Sequence, residues 1–352
     1  MKNVLFIIPF LGRTGAERVI LNLINNIDRV KYKPHLLLYS DIEERNSLIS
    51  QLNSNVPVFY LNVKGRARYN LHRIIYGIRK CCFENNIDTL LISDGTANAF
   101  LSPFLFLMGR KVKKIARESN LPSLYERNSI ARLLYGYFYK NYDSIIVQSN
   151  DMMSDLVLKM KVPKDKIVKI NNPLDYLKIQ KMSLQQADFS FPKDKINLLT
   201  IGRLTYQKGY DLLLTSFSNI KNDNYHLTII GTGEDKSDLL KMTNDLQLSD
   251  KVTFIPSTDN PYAIMKQADV FISSSRWEGY PNVVIESLAC GTPVLANNYP
   301  GGINEIIDGT NGVICSLTDE LFDGLEKIKE IKNVNFDKNK ILDIYREYES
   351  LY

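Results

Sequence analysis

The sequence predicts an α/β protein made of two doubly wound, Rossmann-like domains with parallel sheets. Three observations predict this class. Short apolar runs alternate with amphipathic helical patterns in both halves, a polar stretch interrupts them near the middle, and 352 residues are too many for one ordinary core. The composition, 44% hydrophobic and 24% charged, is typical of a globular protein.

The first half begins with an apolar run that leads into a helical pattern. In that pattern Val19, Ile20, Leu23, Ile24 and Ile27 share one face. Strands that alternate with such helices indicate a parallel sheet covered on both sides. The predicted strands of this half are 4–10, 35–40, 56–61, 89–93, 113–119 and 144–149.

A second alternating set follows a break in periodicity near the middle of the chain, where prolines and polar residues predict a linker. We expect the two halves to face one another across a cleft at the carboxyl ends of their strands. The predicted strands here are 196–203, 225–233, 251–257, 269–275 and 292–298. The predicted segments are domain 1–172, linker 173–194, domain 195–334 and a final helical segment 335–352.

Charge is unevenly distributed along the chain. Residues 1–190 carry 28 Lys and Arg against 16 Asp and Glu, whereas residues 191–352 carry 16 against 23. The basic half indicates an anionic partner, either nucleic acid or lipid headgroups, or else a solvated Lys-rich surface. Within it, residues 100–114 join an apolar stretch to four cations, which predicts either an interfacial helix on anionic lipid or a core helix before a buried strand.

Membrane-spanning and metal-binding classes find little support in the sequence. No apolar run reaches the roughly 18 to 20 residues that a transmembrane helix needs, and the first residues enter a strand-like run without a cleavage site, so we expect a cytoplasmic protein. The three histidines are scattered, and the cysteines lack C-x-x-C spacing. We therefore expect neither a cofactor nor a metal.

The most informative stretch is S-S-S-R-W-E-G-Y-P-N-V-V-I-E-S-L-A-C-G-T-P-V-L-A-N, residues 273–297. Glu278 falls in a strand-to-helix loop, and Glu286 falls in the first turns of the helix that follows. A helix start offers unpaired N–H groups to an anion, and a nearby carboxylate suits hydroxyl groups. Phosphate and polyol together indicate a nucleotide-sugar.

Other loops after predicted strands carry glycines and cations. Gly12 and Gly15 allow close approach to a phosphate or make a simple tight turn. Asp41 lies where a dinucleotide-binding oxidoreductase places its ribose-binding acid, but the glycine spacing is not G-x-G-x-x-G. Arg203 and Lys208 suit the distal phosphate of a sugar diphosphate, with an exposed pair of surface cations as the alternative.

The stretch E-G-Y-P-N-V-V-I-E with E-S-L-A-C-G-T-P-V-L-A resembles the retaining glycosyltransferases of family 4, which have the two-domain GT-B fold. Further blocks agree in order and spacing from residue 4 to about residue 307, among them T-I-G-R-L-T-Y-Q-K-G and I-I-G-T-G-E. The first loop resembles the family's Gly-Gly-Ala-Glu loop, with Thr14 in place of the first glycine.

The resemblance implies a role for each motif. Arg203 and Lys208 would stabilise the leaving diphosphate, Glu278 would hold the transferred sugar, and Glu286 would bind the ribose hydroxyls. Capping or turn formation is the alternative for several of these groups. The residues implied to contact the nucleotide-sugar are Gly15, Glu17, Gly202, Gly231, Gly233, Glu234, Gly279, Tyr280, Pro281, Asn282, Val283 and Glu286.

One family residue is absent. Many relatives carry a histidine after the fourth strand, where this chain has Asp94 and Thr96. Asp94 would be a catalytic residue that orients the acceptor hydroxyl or the donor sugar, or it would only cap a loop. A retaining transfer can proceed without a protein base, because the departing phosphate oxygen can take the acceptor proton. Glu118 matches a recurrent glutamate of relatives on the acceptor side.

The function implied is sugar transfer from a nucleotide diphosphate, UDP rather than GDP, to a saccharide on polyprenyl diphosphate during synthesis of bacterial O-antigen or capsule. The implied partners are donor, acceptor and the anionic inner face of the cell membrane, which the basic domain would contact from the cytoplasm; nucleic acid is not among them. The final helix often crosses back to the first domain in this family. A nucleotide-sugar epimerase of the same fold and a non-catalytic nucleotide-binding protein are the alternatives.

Overall fold

The computed structural model describes residues 1–12, 14–65, 67–126 and 128–352, with only the backbone of Arg68. Contacts between Cα atoms divide the chain into two compact units. The first contains residues 1–174 and 339–352, and the second contains residues 175–338.

The first unit is a parallel sheet in the order β3-β2-β1-β4-β5-β6-β7, which confirms the predicted fold class for this half. Its strands are β1 Lys2–Ile8, β2 Tyr32–Leu38, β3 Val58–Tyr60, β4 Thr89–Ile92, β5 Lys113–Arg117, β6 Ser144–Val147 and β7 Ile167–Lys169. Its helices before the second unit are α1 Gly15–Asn26, α2 Leu71–Glu84, α3 Gly95–Leu101, α4 Pro122–Tyr125, α5 Ser129–Phe138 and α6 Asn150–Ser154. Strand β7 was not predicted.

The core on one face of this sheet forms where α1 packs. Val19, Ile20 and Ile24 of the helix join Phe6 and Leu36 of the strands in one buried cluster. The helical periodicity seen in the sequence therefore marks the face of α1 that contacts the sheet.

Residues 100–114 do not form the interfacial helix that was one of the two predictions. They contain the end of α3, a 3₁₀ turn at Ser102–Met108 and the start of β5. Leu101, Leu105, Met108 and Lys114 are buried, whereas Phe106 is exposed. The apolar residues mostly fill the core, so the alternative of a core segment before a buried strand describes most of the stretch.

Helix α14, Lys338–Ser350, packs within the first unit through its buried face. The guanidinium of Arg117, fully buried at the end of β5, donates from Nε to Tyr348 Oη at 3.1 Å. It also donates to Ser93 Oγ at 3.1 Å and to Asn172 Oδ1 at 2.5 Å. Since a buried cation requires hydrogen-bond partners, these neutral oxygens bind α14 to the sheet through one side chain.

The second unit has a parallel sheet in the order β10-β9-β8-β11-β12-β13. Its strands are β8 Ile196–Ile201, β9 Tyr225–Ile230, β10 Val252–Ile255, β11 Val270–Ser273, β12 Val294–Asn297 and β13 Gly312–Cys315, the last of which was not predicted. Its helices are α7 Tyr176–Ser183, α8 Tyr210–Ser218, α9 Lys236–Asp245, α10 Pro261–Gln267, α11 Asn282–Ala289, α12 Ile303–Ile306 and α13 Leu317–Ile328.

The stretch 173–194, predicted as a linker, contains α7 in the second unit. The helix begins at an aspartate cap, because Asp175 Oδ1 accepts from Lys178 N at 3.0 Å. It packs against α10 and α11, and Gln180 Nε2 donates to Ala289 O at 2.5 Å. A helix within this segment was therefore missed.

Candidate active site

The predicted phosphate-binding residues lie where the strand order of the second sheet reverses. From β8 the chain proceeds outward to β9 and β10, and it then returns to β11 on the other side of β8. The loops after β8 and β11 therefore start side by side at the carboxyl edge of the sheet. Ligands of doubly wound sheets bind at such a switch point.

Glycine allows the loops after β8 and β9 to pack backbone against backbone. Leu204 N donates to Thr232 O at 2.9 Å. A Cβ atom on Gly231 would lie 1.9 Å from Gly202 O, and one on Gly233 would lie 2.1 Å from Leu204 O. Any larger residue at these two positions would have to push the loops apart.

A lysine–glutamate pair lies at the centre of the site. Lys208 Nζ is 2.5 Å from Glu278 Oε1, although the two residues are 70 positions apart. Ser275 Oγ donates to the same Oε1 at 2.8 Å, and Gln207 Nε2 lies 3.4 Å from Oε2. The buried carboxylate is thus satisfied by three donors, and it fixes the lysine in the loop after β8.

Other polar contacts join the same two loops. Arg276 N donates to Gln207 O at 2.8 Å, and Gln207 Nε2 donates to Trp277 O at 2.9 Å. Ser274 Oγ donates to Lys208 O at 2.8 Å. The loops after β8 and β11 are therefore joined to one another by several hydrogen bonds.

Arg276 and Asp211 form a second ion pair that sequence reasoning missed. The guanidinium contacts both carboxylate oxygens, at 2.8 and 2.6 Å, and stacks on the Tyr206 ring with 3.9 Å from Cζ to the ring centroid. Partial burial would raise the pKa of Asp211, but its hydrogen bonds to Arg276 lower it overall. This pair attaches the loop after β11 to α8, and the sequence signal was only the position of Arg276 beside Trp277 and Glu278.

The remaining predicted residues of this unit lie in the loops after β8, β9 and β11 or in α11. Gly202 lies beside Lys208, since a Cβ there would be 3.3 Å from Lys208 Cε. Val283 lines a small pocket with Lys208 and Ser275, and Glu286 is buried one turn further along α11. The loop that leads into α11 consists of Gly279, Tyr280 and Pro281, with Asn282 as the first helical residue. Arg203 and Glu234 are exposed on the loops after β8 and β9.

The corresponding edge of the first unit is acidic. Its strand order reverses between β1 and β4, and the loop after β1 leads into α1 at Gly15. Thr14 N donates to Glu17 Oε2 at 2.9 Å, so Glu17 is a capping acceptor of this helix. Asp94 follows β4 and caps α3, because its Oδ1 accepts from Ala97 N at 2.7 Å. The capping interpretation of Asp94 thus describes one of its oxygens.

Burial raises the pKa of Asp94, and the nearby Glu126 and Glu17 carboxylates add to that shift. Glu126 was not predicted from the sequence. It is buried, accepts from Thr96 Oγ1 at 2.8 Å and accepts from Asn128 N at 2.7 Å. It therefore holds the turn that carries Asp94 against the segment before α5.

Glu118 is buried beneath this edge. It accepts from Tyr135 Oη at 3.1 Å and from Asn98 Nδ2 at 3.1 Å, and it bonds to Tyr139 Oη. Burial raises its pKa. Tyr135 Oη also lies 3.0 Å from Gly95 O. The structure therefore gives Glu118 a role in binding α3 and α5 to the sheet, and the acceptor-side role implied by the resemblance stays a prediction.

In residues 1–12, 14–65, 67–126 and 128–352, no three His, Cys, Asp or Glu side chains are placed to hold a metal ion. No helix in the described part of the chain combines the length and apolar character that crossing a bilayer requires. The expectation of no cofactor and no metal remains a prediction.

Known proteins match this chain in sequence and in fold. Residues 182–342, which include the loops after β8, β9 and β11, match the family model described as glycosyl transferases group 1. This chain is a glycosyltransferase. Over 347 residues it is 26% identical to the N-acetylgalactosamine-N,N'-diacetylbacillosaminyl-diphospho-undecaprenol 4-alpha-N-acetylgalactosaminyltransferase of Campylobacter jejuni, covering 94% of the chain and 91% of that relative.

The glycosyltransferase is also 28% identical over 174 residues to the O-antigen biosynthesis glycosyltransferase WclY of Escherichia coli, covering 49% of the chain and 48% of the relative. Among solved structures, it is similar to Anabaena Alr3699/HepE in complex with UDP-glucose, with a TM-score of 0.77 and 16% identity over the full length of both chains. These structural matches confirm the GT-B fold of two Rossmann-like domains.

Proposed function

We propose that this glycosyltransferase is a retaining enzyme of family 4 that moves a sugar from a nucleotide diphosphate, UDP rather than GDP, to a saccharide on polyprenyl diphosphate. The product would enter a bacterial surface polysaccharide such as O-antigen or capsule. The observation that carries the proposal is the Lys208–Glu278 pair at the switch point of the second sheet. This pair places a cation that can bind phosphate next to a carboxylate that can bind hydroxyl groups.

In this mechanism the anomeric carbon exchanges its bond to the phosphate oxygen for a bond to the acceptor oxygen on the same face of the sugar. The leaving diphosphate takes the acceptor proton. Lys208 and Arg203 stabilise the charge that develops on the leaving oxygen. Glu278 binds the sugar hydroxyls, and Glu286 binds the ribose. Two cations and the start of α11 supply positive charge, so no resident metal is part of the proposal.

Asp94 serves the acceptor in this scheme. One of its oxygens caps α3, and the residue lies half-buried at the switch point of the first sheet. A carboxyl with a raised pKa can orient a hydroxyl by accepting its hydrogen bond. We assign it an orienting role because the diphosphate oxygen already accounts for the proton.

Two relatives support the choice of substrates. Structures similar to this chain contain UDP, or UDP and glucose, which favours a UDP-linked donor. The Campylobacter jejuni relative, by its name, acts on a saccharide diphospho-undecaprenol. Such an acceptor would place the enzyme at the cytoplasmic face of the cell membrane, with its basic half toward the anionic surface.

The test is release of UDP or GDP from labelled nucleotide-sugars, with and without a polyprenyl-diphosphate-linked saccharide. We expect release only with a UDP-sugar and acceptor together, and a product of unchanged anomeric configuration. Epimerised donor in the absence of acceptor would contradict the proposal.

Arg203→Ala tests the phosphate site within the same assay. We expect kcat to fall about 100-fold, since Arg203 would act on charge that develops in the transition state. Arg346→Ala is the matched control, because Arg346 is an exposed arginine that pairs with Asp343 along α14. Equal kcat in the Arg203 variant and the control would remove Arg203 from the site.

A further inference from the structure

Three neighbouring elements of the first unit are α2, the 3₁₀ turn Ser102–Met108 and α5, and the turn contacts both helices. Each turns apolar residues inward. Ile74 and Ile78 of α2 are buried, as are Leu105 of the turn and Ala131 of α5. The inner sides of these elements therefore belong to the core.

Their outer sides are apolar as well. We call the following residues the apolar surface, and each is between 56% and 73% exposed: Tyr76, Phe83, Phe106, Ile130, Leu133 and Tyr137. On α5 the three members are three and four positions apart, so they form one stripe. Phe83 lies beside the end of the 3₁₀ turn, because its Cζ is 4.0 Å from where a Cβ of Gly109 would be. A soluble monomer usually scatters such residues singly.

The charged residues of the segments that carry the apolar surface are mostly cations. Residues 71–84, 102–113 and 129–140 contain eight Lys and Arg and a single acidic residue, Glu84. Glu84 Oε1 is 3.8 Å from Lys80 Nζ. Exposed aromatic and aliphatic side chains surrounded by cations are the composition of a surface that lies on an anionic bilayer.

Charge also argues against a second copy of this chain as the occupant. Two such surfaces brought face to face would set cations against cations, which opposes association. The exposed large apolar residues of the second unit, by contrast, are dispersed over α7, α9, α13 and the loop after β8: Leu177, Leu184, Leu240, Phe322 and Tyr206. The stripe of three such residues on α5 therefore has no counterpart on a helix of residues 175–338.

We propose that the apolar surface binds an anionic lipid bilayer, with its aromatic and aliphatic side chains in the interfacial layer and its cations on the headgroups. This deepens the proposed function and rests on it for the lipid-linked nature of the acceptor. Helix α5 connects the two, because its outer stripe would meet lipid while Tyr135 on its inner side contacts Gly95, next to Asp94. The acceptor turn is thus braced by the helix that touches the membrane.

Flotation with vesicles tests the proposal directly. The wild-type protein should bind vesicles of mixed phosphatidylglycerol and phosphatidylcholine, bind pure phosphatidylcholine weakly, and lose binding as salt increases. The double variant Phe106→Asp/Leu133→Asp should bind the mixed vesicles at least about tenfold more weakly. Its matched control is Leu177→Asp/Phe322→Asp, which adds the same charges to exposed apolar positions of the second unit.

A second variant, Lys111→Glu/Arg132→Glu, keeps the apolar residues and reverses two exposed cations. It should also lose vesicle binding, and its melting temperature should match that of the wild type. Binding of either variant at wild-type strength would overturn the proposal. Sedimentation that shows a wild-type dimer broken by Phe106→Asp/Leu133→Asp would overturn it too, since the occupant would then be a second copy.

The two proposals fail in different ways. Transfer to a water-soluble acceptor with a short chain should proceed equally in the wild type and in Phe106→Asp/Leu133→Asp, and only transfer to acceptor in vesicles should decline. Vesicle binding without any sugar transfer by the wild type would reject the proposed function and leave the membrane surface standing. Sugar transfer without vesicle binding would do the reverse.

Discussion

The two sheets share a topology but differ in the chemistry at their switch points. The second has Lys208, Arg203 and the Arg276–Asp211 pair in its loops, whereas the first has Asp94, with Glu126 beside it. The same strand-to-loop geometry can thus present cations to a leaving diphosphate or carboxylates to a hydroxyl group. The comparison teaches that the loops, and not the sheet, decide the charge at each switch point.

The largest effect should come from removing Lys208, the lysine at the switch point of the second sheet. Lys208→Ala should lower kcat about 100- to 1,000-fold, because it removes a cation aimed at developing charge and leaves Glu278 without its ion-pair partner. Steady-state kinetics with a nucleotide-sugar and acceptor measure this. Lys329→Ala is the control, since Lys329 makes an exposed pair with Glu326 in the same unit. An equal kcat in the Lys208 and Lys329 variants would contradict a catalytic role of Lys208, and with it the difference in chemistry between the two switch points.

A smaller effect should follow at the acidic edge. Asp94→Asn keeps an oxygen that can cap α3 but loses the charge, so we expect kcat to fall by at most about 100-fold. The kcat of the wild type should also decline as the pH is lowered through the raised pKa of Asp94. The kcat of Asp94→Asn should not show this decline. The control is Asp175→Asn, which alters the aspartate cap of α7. A rate unchanged by Asp94→Asn would leave capping as the only role of this residue.

The close packing of loops in the second unit can be tested by stability. Gly231→Ala should lower the free energy of unfolding by about 1–3 kcal/mol, since its Cβ would meet the backbone of Gly202 at 1.9 Å. Gly136→Ala is the opposite case, because Gly136 lies in α5 with its nearest neighbour at 3.6 Å, and alanine favours a helix. Urea unfolding compares them. A stable Gly231 variant would show that the loops can separate.

The effect at Glu118 should develop only as the pH rises. Its raised folded pKa means that its contribution to stability is complete below its unfolded pKa, near 4.5, and is lost as pH rises through the folded value. The side chain of the Glu118→Gln variant cannot ionise. The free energy of unfolding of this variant, minus that of the wild type, should therefore increase as the pH rises from 5 to 8. The gain should be about 1.4 kcal/mol per pH unit wherever the wild-type carboxyl is ionised only in the unfolded chain. A difference that is constant with pH would mean that Glu118 titrates normally.

Much of the fold was predictable because each strand is a local apolar pattern. Strands β7 and β13 were missed since they are short edge strands whose residues are largely half-buried. Helix α7 was missed because its apolar face is limited to a few residues between prolines. For residues 100–114 the local pattern allowed both a lipid-facing and a core-facing helix, and only the burial of Leu105 and Met108 in the folded chain distinguishes them.

The site was predictable where the chemistry lies within one motif, as for Glu278 and Glu286. Contacts between residues that are far apart in the sequence were not predictable. The sequence alone does not predict the ion pair of Lys208 with Glu278, 2.5 Å apart, or that of Arg276 with Asp211. These contacts depend on which strands are neighbours in the sheet, because neighbouring strands bring their loops together. The burial of Glu118 was hidden for the same reason, since its partners Tyr135 and Tyr139 come from a helix further along the chain.

The return of α14 to the first unit affects the order in which the protein can fold as it leaves the ribosome. Tyr348 bonds to Arg117, and the ring of Tyr352 packs edge-on against Phe6 and Tyr32. The ring contacts join β1 and β2 to a residue more than 300 positions later in the chain, so part of the core of the first unit stays uncovered until residues 339–352 have been synthesised. The second unit is one continuous stretch, and nascent chains that end shortly after residue 338 already contain all of it.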